Sequence, residues 1–125
     1  MLPFPIEFKP GLPVSEQLGY AVRKAAISGQ LQPGDRFPSV RTLSQELRIN
    51  PNTAHKVVAA LVAEGLLEVH PGIGTVVGKI PPSTPHQRAE LLGADVERLV
   101  VAAKHLRLPL SDLQTAIETH WKRLS

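Results

Sequence analysis

A chain of 125 residues is enough for one ordinary domain, or for a small domain with an appendage. Its 42% apolar content supports a packed core, and the absence of cysteine excludes disulfides and thiol chemistry and leaves any zinc site to histidines and carboxylates. The net charge of +3 is evenly spread, with 8 Lys+Arg against 6 Asp+Glu in residues 1–80 and 6 against 5 in residues 81–125. Affinity for nucleic acid would therefore need positive charge concentrated by folding.

No apolar run is long enough to cross a bilayer. The opening MLPFPIEF, with two prolines and no basic leader, is a poor signal peptide, and a cytoplasmic protein is expected. Pro3, Pro5 and Pro10, followed by Pro13, make residues 1–12 read as an extended arm. A first helix is predicted from about Pro13 to Ser28, with Val14, Leu18, Ala21, Val22 and Ala25 along one stripe. Gly29 stands where a left-handed C-terminal residue is wanted, and Pro33-Gly34 is the pair favoured at the centre of a type II turn. Ser39 suits the N-cap of a short second helix carrying Val40, Leu43 and Leu47 on one side. After Arg48-Ile49-Asn50 a third helix is predicted, with Asn50 as its N-cap and Pro51 at the first helical position, where a missing N–H costs nothing. Its apolar stripe is Ala54, Val57, Val58, Leu61 and Val62, and Gly65 ends it with Leu66 placed for an apolar contact beyond the cap.

LLEVHPGIGTVVGKI then holds two β-prone runs, Leu67–His70 and Thr75–Lys79, around a Pro71-Gly72-Ile73-Gly74 tip. Helix, short helix, turn, longer helix and hairpin is the order of a winged helix-turn-helix, here residues 13–79. Pro81, Pro82 and Pro85 mark a linker over 80–86. In the tail, 87–125, Ala89, Leu92, Val96, Leu99, Ala103 and Leu106 recur at intervals of 3 and 4, a heptad-type seam. A break at Leu108-Pro109 precedes a last helix opened by Ser111-Asp112-Leu113-Gln114, which matches a capping box. Two such helices cannot bury both stripes against each other. A homodimer is therefore expected through Leu92, Val96, Leu99, Leu106, Leu113, Ile117, Trp121 and Leu124. The expected class is mainly α with a small β-hairpin, a winged helix-turn-helix followed by a two-helix dimerisation tail.

The third helix raises the functional question, because its outward face presents Asn52, His55 and Lys56 rather than the usual Glu/Lys mixture. A short helix and a tight turn hold such a helix proud of the body, so that its first turn enters a major groove. There Asn52 can offer its amide to adenine, and Thr53 can touch a phosphate or a thymine methyl. His55 and Lys56 come one turn later, where phosphates would lie. Arg41, near the start of the second helix and close to the third if the turn is tight, can bind guanine through both arms of its guanidinium. Arg36 and Arg48 read as phosphate contacts. Gly72, Gly74 and Thr75 form a tip whose backbone can press into a minor groove, flanked by His70 and Lys79.

Each feature has a plainer reading. Asn50 and Pro51 are cap chemistry, Arg41 alone is a solvated helix residue, and the tip glycines serve the turn in any case. The five histidines lack the spacing of a zinc site, so no metal or other cofactor is expected. No nucleophile, base and oxyanion-hole set can be assembled, and no Gly-rich phosphate loop succeeds a strand.

The segments SGQLQPGDRFPSVRTLSQEL, AEGLLE and PGIGTVV, within residues 5–79, resemble the winged-helix domain of GntR-type bacterial transcription regulators. The Asn-Pro-Asn-Thr helix start and brief two-helix tail look like the YtrA-type subfamily. The resemblance implies DNA-contacting positions at Arg41, Asn52, Thr53, His55 and Gly72. Pro51 stands where many relatives carry arginine, which removes base reading there. Arg48 stands where relatives commonly have glycine, so either the turn differs or a left-handed arginine grips a phosphate. The resemblance implies a sequence-specific transcription regulator, a repressor that binds double-stranded DNA as a homodimer on an inverted-repeat operator. By the same resemblance it would control a neighbouring operon, often one for a transporter. A small-molecule effector, if one binds, would sit between the tail helices. The alternative is a winged-helix module that binds protein rather than DNA. An enzyme finds support only in relatives that fuse this domain to an aminotransferase, and none is expected here.

Overall fold

Pro13 sets the start of α1 (Val14–Ile27) in the computed structural model, which describes residues 1–125. The chain divides into two units, Met1–Pro81 and Pro82–Ser125. In the first, α1 buries Leu18, Gly19, Val22 and Ala25, the stripe its spacing predicts shifted slightly towards Gly19. Ser39 caps α2 (Val40–Leu47), its hydroxyl accepting the Thr42 N–H at 3.1 Å. Asn50 caps α3 (Pro51–Ala63), its Oδ1 accepting the Asn52 N–H at 2.8 Å, with Pro51 at the first helical position. Helix α3 packs against both α1 and α2 through Ala54, Val57, Val58 and Leu61. Arg23 of α1 ties down its far end, donating to Glu64 at 2.5 and 3.1 Å. That hydrogen bond, with the carboxylate's charge, holds the guanidinium's pKa above its ordinary value.

Gly65 ends α3 with φ +83°, and the Leu66 N–H returns to the Leu61 carbonyl at 3.0 Å, which seats Leu66 in the core. Strands β1 (Leu67–His70) and β2 (Gly74–Val77) pair antiparallel, Leu67 opposite Val77 and His70 opposite Gly74. The second run stops two residues short of the expected Lys79. Gly78 is why: its N–H bonds the Leu66 carbonyl at 2.8 Å, and a Cβ there would lie 2.7 Å from the Gly65 carbonyl oxygen. The chain is pressed onto the end of α3 and leaves the sheet.

A third pairing is absent from the sequence expectations. Gly34 and Phe37 donate to the Val77 and Thr75 carbonyls at 2.8 and 2.9 Å, Val77 donates to Asp35 at 2.8 Å, and Arg36 faces Val76. The Pro33-Gly34 turn, closed by the Asp35 N–H on the Gln32 carbonyl at 3.0 Å, delivers this short edge to the hairpin.

The N-terminal arm is a docked strap rather than a free extension. Phe4 is 4% exposed and stacks on Phe37, with centroids 5.9 Å apart and rings inclined by 3°. Leu2 and Ile6 pack on the same core. Gln17 of α1 pins the strap: its amide donates to the Lys9 and Leu12 carbonyls, each at 3.0 Å, and accepts the Lys9 N–H at 2.7 Å.

In the second unit the helix starts earlier than the expected linker end. Thr84 and Gln87 form a reciprocal capping box at 2.9 and 3.1 Å, and α4 (Pro85–Glu90) begins on Pro85. A π-helical turn, Leu91–Asp95, joins it without a break to α5 (Val96–His105). The extra residue in that turn resets the heptad register predicted for this helix. Arg107 closes α5 with φ +59°, the Leu108 N–H returning to Ala103 at 2.9 Å. The expected capping box at Ser111 does not form. Pro109, already extended at ψ 156°, is the boundary residue, so α6 (Leu110–Arg123) starts at once and Ser111 lies inside its first turn.

If the strap is part of the core, Phe4→Ala lowers unfolding free energy by about 3 kcal/mol in urea titrations. A change below about 0.5 kcal/mol would show the strap undocked.

Candidate nucleic-acid interface

The alternation of buried and exposed positions leaves one side of α3 facing water. Asn52, His55, Lys56 and Ala59 are exposed along it, each within about 60° of their mean direction at roughly 100° per residue. Thr53 is half-buried on the flank. The side-chain amide of Asn52 makes no hydrogen bond within the protein, so both its donor and its acceptor are unspent. Lys56 also borders a shallow cleft against α1, beside Glu16 and Arg23.

The turn that presents this face is left-handed at Arg48, with φ 54° and ψ 47°. That conformation costs a non-glycine residue about 1 kcal/mol. Ser44, one turn back in α2, holds it in place. Its carbonyl accepts the Arg48 and Ile49 N–H groups, the latter at 3.2 Å, and its hydroxyl donates to the Ile49 carbonyl at 2.9 Å. Sequence reasoning found the Arg48 anomaly but missed Ser44, whose only signal is a hydroxyl four residues before the strained position.

Arg41 lies in the first turn of α2, about 10 Å along the helix axis from Arg48 at 1.5 Å per residue. A major groove is about 12 Å wide, so this spacing still suits a single groove. Arg36 stands on the edge pairing with β2, which joins it to the hairpin rather than to α3. At the hairpin tip the Ile73 N–H closes on the His70 carbonyl at 3.0 Å. Gly72 and Gly74 adopt φ +78° and +107°, and a Cβ at either would meet nothing within 4 Å. Backbone conformation, not crowding, demands these glycines, and it leaves the tip open to a close neighbour. Thr75 is half-buried with its carbonyl committed to Phe37, while Lys79 lies beyond the strand.

The charges complete the arrangement. Arg36, Arg41, Arg48 and Lys56 are exposed, and none has a carboxylate oxygen within 4.0 Å; the ion pairs of the chain lie elsewhere. Four unpaired cations thus lie on the hairpin edge, on α2, at the turn after it and on α3 of a chain that is close to neutral.

A helix held proud by a tight turn, carried on a three-helix body and flanked by a hairpin, is the winged helix-turn-helix class of DNA-binding domain. Residues 14–77 match the family model described as bacterial regulatory proteins, gntR family, and the chain belongs to that family. It is similar to the HTH-type transcriptional repressor YtrA of Bacillus subtilis, 27% identical over 114 residues that cover 90% of this chain and 88% of that protein. Its fold is that of a transcriptional antiterminator from Listeria monocytogenes (TM-score 0.83, 22% identity, 97% of this chain and 91% of that chain). The DNA-binding domain of AraR in complex with operator ORR3 is 27% identical (TM-score 0.50, 59% of this chain and 89% of that chain). The protein is a DNA-binding transcription regulator, like its family, and not an enzyme. No helix is long and apolar enough to cross a membrane.

The turn makes a direct prediction. Arg48→Gly relieves the left-handed strain and raises stability by about 1 kcal/mol, whereas Ser44→Ala lowers it by about 1 kcal/mol. Denaturant midpoints read both, and destabilisation by Arg48→Gly would contradict this geometry.

Proposed function

We propose that the chain is a repressor that binds an inverted-repeat operator as a homodimer, reading bases with Arg41 and Asn52. Arg36, Arg48, His55 and Lys56 would hold phosphates, Thr53 would touch a phosphate or a thymine methyl, and the Gly72, Gly74 and Thr75 backbone would meet a minor groove. The observation that carries this reading is the exposed face of α3 with its unspent Asn52 amide, in a unit whose Arg36, Arg41 and Arg48 have no carboxylate oxygen within 4.0 Å. Repression is supported by the likeness to YtrA, named a transcriptional repressor, along most of both chains. Operator recognition is supported by the likeness to the AraR domain, whose structure was solved on its operator.

Dimerisation is supported by the tail. Leu92, Leu106 and Trp121 are 72%, 68% and 77% exposed in the single chain, with Val96, Leu99 and Ile117 exposed as well. Apolar side chains in such numbers on two helices call for a covering surface. Leu113 and Leu124 are half-buried already, so they add less new contact. A two-fold dimer through this surface would present two α3 tips to two half-sites.

Footprinting on the intergenic DNA beside its gene tests the reading, with protection of paired inverted half-sites expected and no protection contradicting it. Arg41→Ala would cost about 1–3 kcal/mol and relax preference at one base pair. Lys56→Ala would weaken all sequences alike and reduce the salt slope by about 0.9. Sedimentation at micromolar concentration is expected to give a dimer, and Trp121→Glu a monomer. A wild-type monomer would remove the two-fold operator.

A further inference from the structure

We propose that the cleft between the N-terminal strap and α1 is a binding site for a small amphipathic carboxylate. The inference stands apart from the operator reading, since its lining comes from the strap and α1, with no residue of α2 or α3, and needs no DNA contact.

The cleft has a volume of about 360 Å³, within the range of small-ligand sites. Ile6 and Leu12 of the strap and Tyr20 and Ala21 of α1 supply apolar walls. Leu12 and Tyr20 are 57% and 64% exposed, so each has a large apolar surface left in water beside the cleft. Lys9 and Lys24 also line it, and neither ammonium has a carboxylate oxygen within 4.0 Å. Glu7 is the one acid in the lining, which leaves a net positive charge for the site. An acyl or aryl chain would cover Ile6, Leu12 and Tyr20 while its carboxylate met the two lysines.

Hydrogen bonds within the chain hold the wall in place. Gln17 fixes the strap through both the N–H and the carbonyl of Lys9, contacts that order the backbone beside the lysine that would receive the carboxylate. A preformed wall lowers the ordering cost of binding. The same strap runs back through Phe4 onto Phe37, just ahead of α2, which puts the cleft in packed continuity with the DNA-reading helices.

Titration of the full chain with octanoate, tracked through assigned backbone amides, tests the site. Saturable shifts are expected at Leu12, Gln17, Ala21 and Lys24, half-complete at or below about 1 mM. Lys9→Gln combined with Lys24→Gln should weaken binding at least about tenfold, as should replacement of octanoate by uncharged octanamide. Both lysines are exposed and outside the core, so the double variant keeps the fold. Absence of saturable shifts at these amides, shifts confined to the tail, or equal affinity in the double variant would overturn the proposal.

Discussion

The structure turns on three residues between α2 and α3. If Arg48 did not take the left-handed conformation, α2 would continue or fray, and α3 would lose its angle to the body. Ser44 meets the cost of that conformation with backbone and hydroxyl bonds to the residues it reverses. The outward presentation of the Asn52 face depends on this reversal. The rest of α3 merely supplies the apolar side, Ala54, Val57, Val58 and Leu61, that keeps it seated on α1 and α2.

The hairpin is tied to the same device from the other side. The edge from Gly34 to Phe37 bonds to β2 and then leads directly into the Ser39 cap of α2. One short segment therefore sets the position of the wing and the start of α2 together. Phe37, within that segment, is also where the strap docks through Phe4. The arm, the wing and α2 thus share a single packed junction, a physical reason for the strap to be folded rather than loose.

Much of this was legible in the residues. Ser39, Asn50, Pro51 and Gly65 are strong local signals because caps and left-handed ends depend on one or two side chains, and each does what its type predicts. The hairpin tip is readable for the same reason. What was not legible depends on contacts distant in sequence. The Gly34–Phe37 edge is too short to show a strand period, and Phe4 gives no hint of Phe37 as its partner. Gly78 reads as part of a strand until the Gly65 carbonyl is seen against it. Thr84, inside the expected linker, caps α4, whereas the expected cap Ser111 is overtaken by Pro109, whose fixed backbone begins the helix sooner. The π-helical turn at Leu91–Asp95 leaves no mark in a heptad pattern, so the helix was readable while its register was not. At the turn before α3, the anomaly at Arg48 was readable and its support by Ser44 was not, because that support depends on a carbonyl and a hydroxyl directed back from α2.

In the proposed complex the α3 tip and the wing meet one stretch of duplex. The chain has no native cysteine, so a cysteine at His55 or at Ile73 can carry an iron chelate that cuts nearby DNA. The account predicts that cuts from the two positions fall within about one helical turn of each other in each half-site, roughly 10 base pairs. Cutting from the His55 probe with none from the Ile73 probe, or cuts separated by more than a turn, would contradict it.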